Sequence, residues 1–219
     1  MNVYAFYEPI NEPWINQTDQ NNLIEIWKKS WSHYGWNPIV YGMKECKECD
    51  GYNELYSICE NYPTVNPKIY SIICFIRWIY MSKVGGWYAD LDMINYGFYP
   101  TEFGEKIVTA SYTLHCSTIH MSVEKYKKLI DNIKNLKITD EHYFDIGNGK
   151  KVANVSDMDV LLKYNDNLDL RLNIQSEYPY NNNLIVHYPF AMYASDNNIK
   201  GKTRSEVILQ DERTKIFLK

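Results

Sequence analysis

The amino-acid sequence predicts an α/β fold built as a sandwich of layers, and two observations support this prediction. Segments with the composition of strands alternate along the chain with segments of helical periodicity. One helical segment, residues 69–81, is apolar on almost every side, as expected of a helix buried between layers. Because 219 residues suffice for one sizeable core, we expect a single domain over residues 1–219, either a whole protein or the first domain of a longer chain.

The first three elements are predicted to be a strand, a helix and a second strand. Residues 2–7 alternate apolar and polar side chains and are rich in β-forming residues, which predicts a strand. Thr18 and Asp19 are candidate caps of the helix that follows, and Gly35 is placed to end it. Residues 38–41 have the composition of a short second strand.

Two further helices are predicted before the middle of the chain. A polar stretch at residues 44–51 precedes a modest helix over residues 52–61, which has one apolar face. For the apolar helix, Asn66 is a suitable N-cap and Pro67 suits the first helical position. Gly85 is placed to end that helix.

The second half of the chain continues the alternation. Strand character recurs in four segments, which are residues 106–110, 112–119, 170–174 and 184–188. Residues 122–136 form an amphipathic helix, and Ser156 with Asp159 reads as a capping box that opens another helix. Residues 137–155 are expected to be loop, and the tail from Asp196 onward is polar and basic.

Composition and charge exclude several classes of partner. A net charge of -4 and a pI of about 5.8 provide no general attraction to nucleic acid or to an anionic membrane. No stretch approaches the roughly 18 to 20 apolar residues that a membrane span needs, so we expect no membrane span. The five cysteines lack the spacing of a disulfide framework, which fits a reducing compartment and predicts a cytoplasmic protein. Cys46 and Cys49 are expected to be free thiols in a loop, the alternative being half of a zinc site.

Two carboxylates one residue apart follow the apolar helix and its glycine pair. On an extended backbone Asp90 and Asp92 would lie on the same side, where both can reach one hard cation, while Leu91 points into the protein. The alternative for this common tripeptide is a solvated turn. The preceding buried helix favours the metal-binding interpretation.

The run from residue 77 to residue 92 resembles the sugar-binding region of glycosyltransferases with a DXD motif, the group that includes yeast-type mannosyltransferases and glucosylating bacterial toxins. In that group, an arginine lies eight residues before the first glycine of Gly-Gly-x-Tyr-x-Asp-x-Asp. The matching residues here are Arg77, Gly85, Gly86, Tyr88, Asp90 and Asp92. The resemblance implies a GT-A fold, a Rossmann-like α/β/α domain that uses a nucleotide-diphospho-sugar and a divalent metal. Small domains of this kind occur in bacteria and in large DNA viruses.

The resemblance also implies a set of metal ligands. It assigns Asp92 direct metal ligation, and Asp90 contact with both the metal and the ribose of the nucleotide. His187, at the end of an apolar strand, would complete the coordination of Mn²⁺, which accepts imidazole more readily than the alternative, Mg²⁺. The other interpretation of His187 is a satisfied, half-buried residue beside Tyr188.

Arg77 and its surroundings concern the donor sugar. A buried arginine is costly unless it is paired or bound to a ligand, so Arg77 is expected either to contact the donor or to form a structural ion pair with Asp90 or a nearby carboxylate. In the related pattern an aspartate three residues before the arginine binds sugar hydroxyls, but this chain has Cys74 there. A thiol is a weak donor and a poor acceptor, so the identity of the sugar does not carry over.

The nucleotide is expected to lie at the end of the first strand. Phe6, Tyr7 and Glu8 are candidates for recognising the nucleobase, the alternative being a strand end packed on the core. Lys200 and Lys202 flank a glycine in the tail, a spacing that suits a segment closing over the diphosphate. The alternative for both lysines is a solvated tail.

The predicted function is a metal-dependent hexosyl- or deoxyhexosyltransferase that moves a sugar from a nucleotide-diphospho-sugar to a glycan or other hydroxyl acceptor. UDP is the expected nucleotide, with GDP the next choice. Asp157, at a helix start that keeps it ionised, is the candidate base or acceptor-binding residue. The alternatives are a non-catalytic module that binds carbohydrate or nucleotide-sugar, and a phosphatase of the haloacid dehalogenase type.

Overall fold

The computed structural model describes residues 1–11, 16–111, 118–147, 149–162, 169–177, 183–189 and 201–218. Over these residues the chain is a mixed α/β structure, which confirms the predicted fold class at that level. The described strands are β1 (Asn2–Phe6), β2 (Asn37–Tyr41), β3 (Gly86–Ala89), β4 (Met93–Asn95), β5 (Val108–Thr109), β6 (Thr118–Met121), β7 (Tyr143–Asp145), β8 (Lys151–Ala153), β9 (Leu170–Arg171), β10 (Gln175–Glu177) and β11 (Ile185–His187). The described helices are α1 (Gln17–His33), α2 (Met43–Lys47), α3 (Tyr52–Glu60), α4 (Lys68–Val84), α5 (Val123–Lys134), α6 (Asp157–Leu162) and α7 (Arg204–Gln210).

The largest sheet has the strand order β2-β1-β3-β6-β5-β9. Strand β1 pairs in parallel with β2 on one side and with β3 on the other, so the carboxyl ends of these three strands meet at one edge. The chain passes from β1 to β2 and then crosses to β3 on the far side of β1. The gap between the carboxyl ends of β1 and β3 is therefore a topological switch point, where open α/β sheets bind ligands.

The two faces of this sheet are covered by different helices. Val3 and Ala5 of β1 face a cluster that includes Trp27 and Trp31 of α1, whereas Tyr4 faces a cluster that includes most of α4. This alternation follows from the period of two in a strand. The predicted caps of α1, Thr18 and Asp19, are wrong. The helix begins earlier, at Gln17, and its cap is Asn16, whose side chain accepts a hydrogen bond from the Asp19 amide.

Helix α4 is the buried helix that the sequence predicts, with a different start. It begins at Lys68, and Pro67 occupies the capping position with extended backbone angles, so the expected cap at Asn66 is wrong. The helix packs against α2, α3 and α5. Gly85 ends it with φ of 65°, and a Cβ there would lie 3.1 Å from Val123, so a side chain is excluded by both backbone and packing.

A second sheet brings a late part of the chain beside β3. Strand β11 pairs antiparallel with β4 and parallel with β10, and His187 is the register partner of Met93. The amide of Tyr188 donates to the carbonyl oxygen of Asp92 at 3.0 Å. The end of β11 is therefore fixed next to the turn between β3 and β4.

Several short elements differ from the sequence expectation. Residues 137–155, predicted as loop, contain the paired strands β7 and β8. The polar stretch at 44–51 contains most of α2, and the polar tail contains α7. Of the predicted strand at 112–119, residues 112–117 lie outside the described residues, and β6 starts at Thr118. The predicted strand at 170–174 is shortened to β9.

None of the described helices is both long enough and apolar enough to cross a membrane.

Helix α7 is anchored to α1 by a buried carboxylate. Asp19 is 7% exposed, and its Oδ1 accepts a hydrogen bond from the amide of Ser205 at 2.9 Å. Ser205 is itself buried, so this amide has no access to water as a substitute partner. The contact fixes the start of α7 over the start of α1.

We expect Asp19→Ala to destabilise the protein by about 1 to 3 kcal/mol, because it leaves the buried Ser205 amide without its acceptor. Urea denaturation measures this as a lower midpoint. Glu25→Ala is the matched control on the same helix, since Glu25 is exposed and pairs only with Lys28 at 3.5 Å among the contacts described. Equal midpoints for the two variants would contradict the anchoring role.

Candidate active site

The turn between β3 and β4 carries the two aspartates. The amide of Met93 donates to the carbonyl oxygen of Asp90 at 2.9 Å, so residues 90–93 form a tight turn and the expected extended backbone is wrong. Leu91 packs against the cluster on the α1 side of the sheet, as predicted. The turn leaves Asp90 and Asp92 with different partners.

Asp90 faces a buried arginine on α4. Arg77 Nη1 donates to Asp90 Oδ1 at 2.8 Å, and the Tyr88 hydroxyl donates to the same oxygen at 2.7 Å. Burial raises the pKa of Asp90. The positive charge of Arg77 opposes this effect, and the negative charge of Asp92 adds to it. Of the two predictions for Arg77, the structure contains the structural ion pair, while contact with a donor stays a prediction.

Asp157 is the second carboxylate on Arg77. It is 3% exposed at the start of α6, and its Oδ2 accepts from Arg77 Nη2 at 2.7 Å and from Trp78 Nε1 at 2.8 Å. Arg77 Nε adds a third contact to that oxygen at 3.2 Å. With Oδ2 committed to three N–H donors, this geometry favours a role in positioning Arg77, and the role as base stays a prediction.

Asp159 takes the capping role predicted for it. Its Oδ2 accepts from the amide of Ser156 at 2.7 Å and from the hydroxyl of Ser156 at 3.1 Å. This contact orders the first turn of α6, and with it the position of Asp157.

Cys74 lies one turn before Arg77 on the same face of α4. Burial, and then the nearby Asp157, raise the pKa of the Cys74 thiol to about 12, so the thiol stays neutral at physiological pH. The helix thus lacks a carboxylate at this position, but Asp157 brings one to Arg77 from α6. This arrangement could not be predicted, because residues 77 and 157 are far apart in the sequence.

Asp92 faces two cationic groups. His187 Nε2 lies 3.6 Å from Asp92 Oδ1, and Arg204 Nη1 lies 3.0 Å from Asp92 Oδ2. Burial alone would raise the pKa of Asp92, but His187 and Arg204 outweigh it and hold that pKa below its usual range. Burial alone would lower the pKa of His187. Nearby carboxylates, Asp92 first among them, outweigh burial and raise that pKa to about 9.

The residues around His187 fit a divalent metal in part. The separation of 3.6 Å from Asp92 is too long for a hydrogen bond, so the imidazole and the carboxylate face each other without a direct bond. In the described structure the buried Nδ1 of His187 has no hydrogen-bond partner, and it lies 3.6 Å from Glu177 Oε1. Metal-binding histidines commonly direct their second nitrogen toward a carboxylate.

Within the described ranges, no group of three or more His, Cys, Asp or Glu side chains is placed to hold a metal. Asp92 and His187 are two potential ligands, and the predicted metal stays a prediction. The predicted ligation by Asp90 stays a prediction, since its Oδ1 is occupied by Arg77 and Tyr88.

The candidate nucleotide residues lie at the carboxyl end of β1, beside the switch point. The ring of Phe6 packs edge-on to Tyr41, with centroids 5.5 Å apart. The Tyr7 hydroxyl donates to Gln17 Oε1 at 2.8 Å, and Glu8 Oε2 accepts from the Met43 amide at 2.9 Å. Each side chain therefore already has a structural contact, and their contact with a nucleobase stays a prediction.

The predicted lysines do not account for the cation at Asp92. Lys200 lies outside the described residues. Lys202 is exposed, and its Nζ donates to Gln210 Oε1 at 2.9 Å. The group on Asp92 is Arg204, which the sequence analysis missed along with Glu177. Neither residue carries a local sequence signal, because each reaches the site through tertiary contacts.

Comparison with known proteins adds no relatives. No family model, curated protein or solved structure matches this chain. The fold and the site define a mixed α/β protein with paired carboxylates at a sheet switch point.

Proposed function

We propose that the protein is a metal-dependent glycosyltransferase of the GT-A fold, which moves a sugar from a nucleotide-diphospho-sugar to a hydroxyl acceptor on a glycan. UDP is the expected nucleotide. The main support is the position of the 90–93 turn, which follows β3 at the switch point beside the end of β1. Open sheets of this topology bind nucleotides at such a point.

The candidate site contains two guanidinium groups, each paired with carboxylates in the free protein. Arg77 and Arg204 place two guanidinium groups around the turn, and guanidinium forks bind phosphate oxygens well. A metal held by Asp92 and His187 would supply Lewis-acid neutralisation of the leaving diphosphate. These residues and Arg204 are the part of the chain that would receive the donor's phosphates.

The proposed reaction replaces one bond at the anomeric carbon of the donor. The bond to the diphosphate oxygen breaks, and the nucleoside diphosphate leaves with the electron pair. The acceptor oxygen forms the new bond and its hydroxyl proton passes to a base. In this proposal Arg77, held by Asp90 and Asp157, would orient the donor at this carbon.

A thermal-shift panel tests the proposal directly. We expect UDP-sugars with Mn²⁺ to raise the apparent Tm by about 5 to 10 °C at a ligand concentration a hundredfold above Kd, because ligand binding stabilises the folded state. The panel also contains GDP-, CMP- and dTDP-sugars, and each is repeated with EDTA as the control. An unchanged Tm with every nucleotide and Mn²⁺ would exclude the proposed donor site.

A non-catalytic binding module is the second candidate, and one observation favours it. The Asp157 oxygen Oδ2 has three hydrogen-bond donors, so this candidate base is committed to Arg77. Slow hydrolysis of a UDP-sugar in the presence of Mn²⁺ would identify an enzyme. Binding of the same UDP-sugar without hydrolysis or transfer would favour the module.

A further inference from the structure

The contact between Arg204 and Asp92 joins the C-terminal helix to the turn that carries the two aspartates. Arg204 Nη1 lies 3.0 Å from Asp92 Oδ2, and both side chains are largely shielded from solvent. On its other oxygen, Asp92 faces His187. Both oxygens of this carboxylate therefore face basic side chains of the protein itself.

The position of Arg204 is fixed by residues on either side of it. Thr203 and Glu206 form a reciprocal capping box, with the Glu206 carboxylate accepting from the Thr203 amide at 2.7 Å. On the other side of Arg204, the Ser205 amide is held by the buried Asp19. The backbone at Arg204 is thus anchored, so an exchange of partners would take place by movement of its side chain.

A divalent cation and the guanidinium group compete for Asp92. Two positive groups on one largely buried carboxylate repel each other, so a cation bound at Asp92 weakens the hold of Arg204. A diphosphate that arrives with the cation offers the guanidinium a new acceptor of higher negative charge. The same arginine can therefore neutralise Asp92 in the free protein and contact the donor in the complex.

We propose that Arg204 exchanges its partner from Asp92 in the free protein to the diphosphate of the bound nucleotide donor. This inference rests on the proposed function. It assigns to α7 a binding residue for the leaving group, and it makes Arg204 a competitor of the metal when no nucleotide is present.

The exchange predicts effects of opposite sign in a single variant, Arg204→Gln. We expect Mn²⁺ alone to bind about threefold more tightly, because the competing charge is gone, and UDP at saturating Mn²⁺ to bind about tenfold more weakly, because a charge-assisted contact is lost. Isothermal titration calorimetry with MnCl₂ and then with UDP measures both affinities. A merely structural role for Arg204 would weaken both.

Lys215→Gln is the matched control. It removes one positive charge from the segment that follows α7, but Lys215 is exposed and contacts Glu212 at the surface, so we expect both affinities to stay within about twofold of the wild type. Near-UV circular dichroism verifies the fold of each variant. If Arg204→Gln fails to fold, Arg204→Lys replaces it, with unchanged Mn²⁺ affinity and a smaller loss of UDP affinity expected.

The possible outcomes separate this inference from the proposed function. If the wild type binds neither UDP nor Mn²⁺, the proposed function fails and the exchange with it. If the wild type binds UDP with Mn²⁺ but Arg204→Gln weakens both ligands or changes neither, the exchange is overturned and the proposed function stands. A UDP loss in Lys215→Gln equal to that in Arg204→Gln would also overturn it.

Discussion

Asp92→Asn is expected to abolish the Mn²⁺-dependent part of nucleotide binding. In the wild type we expect UDP to bind far more tightly with Mn²⁺ than without it, and in the variant this gain, about 100-fold or more, should disappear. Asp92 and His187, whose side chains face each other across 3.6 Å, are the proposed metal ligands. Asparagine removes the charge of Asp92 while keeping the shape of its side chain. Calorimetric titration of UDP with and without Mn²⁺ measures the effect.

The control for Asp92→Asn is Asp131→Asn, an equal loss of charge at an exposed position of α5. We expect it to leave both UDP affinities unchanged. Undiminished affinity for UDP and Mn²⁺ in Asp92→Asn, with a normal circular dichroism spectrum, would refute the assignment of the metal site.

Arg77→Met is expected to destabilise the protein by about 3 to 5 kcal/mol, since it removes the charge that compensates a buried carboxylate. Asp157 is 3% exposed, and among the described residues only the Trp78 indole would still donate a hydrogen bond to its Oδ2. Asp90 would lose its ion pair at the same time. Urea denaturation measures the loss as a lower midpoint at an unchanged m-value.

The control is Lys127→Met, which removes an exposed ion pair with Glu124 at 3.0 Å and should cost about 0.5 kcal/mol or less. The double variant Arg77→Met/Asp157→Leu should be more stable than Arg77→Met alone, because no buried charge on α6 is left uncompensated. A single variant as stable as Lys127→Met would mean that Arg77 is not an internal counter-charge.

The sequence predicted best the elements whose own residues determine their structure. Strand β1 and helix α4 are long apolar segments with clear boundaries, and both are present. The glycine at the end of α4 was also predictable, because a positive φ there excludes most other residues. Helix starts were less predictable, since Asn16 and Asn66 are equally good caps by composition and only Asn16 acts as one.

Elements formed by pairing were only partly predictable from local sequence. Strand β4 was not predicted, and β5 keeps two residues of the predicted strand at 106–110; each is a strand because a neighbour supplies hydrogen bonds. Helix α2 lies in a stretch predicted to be irregular, and its first turn is capped by Glu8 from the end of β1. Such contacts depend on the tertiary structure.

The candidate site was predictable on one side only. Asp90, Asp92 and Arg77 lie in one motif, and the structure brings Arg77 and Asp90 into contact. His187 was proposed from the family resemblance, and β11 does bring it to Asp92. Arg204 and the pairing of Asp157 with Arg77 required the structure, because each contact joins distant segments.

The hydrogen bond from the Tyr188 amide to the Asp92 carbonyl oxygen has a consequence for the order of folding. Strand β11 joins β4 only after the intervening chain has folded back, and loop closure over such a span is slow compared with local contacts. Arg204 lies after β11 in the chain, so it reaches Asp92 only after a longer part of the chain has folded back. During synthesis, the first strands and α4 can therefore collapse early, whereas the paired aspartates meet their remaining partners only when residue 204 has emerged and α7 has settled on α1.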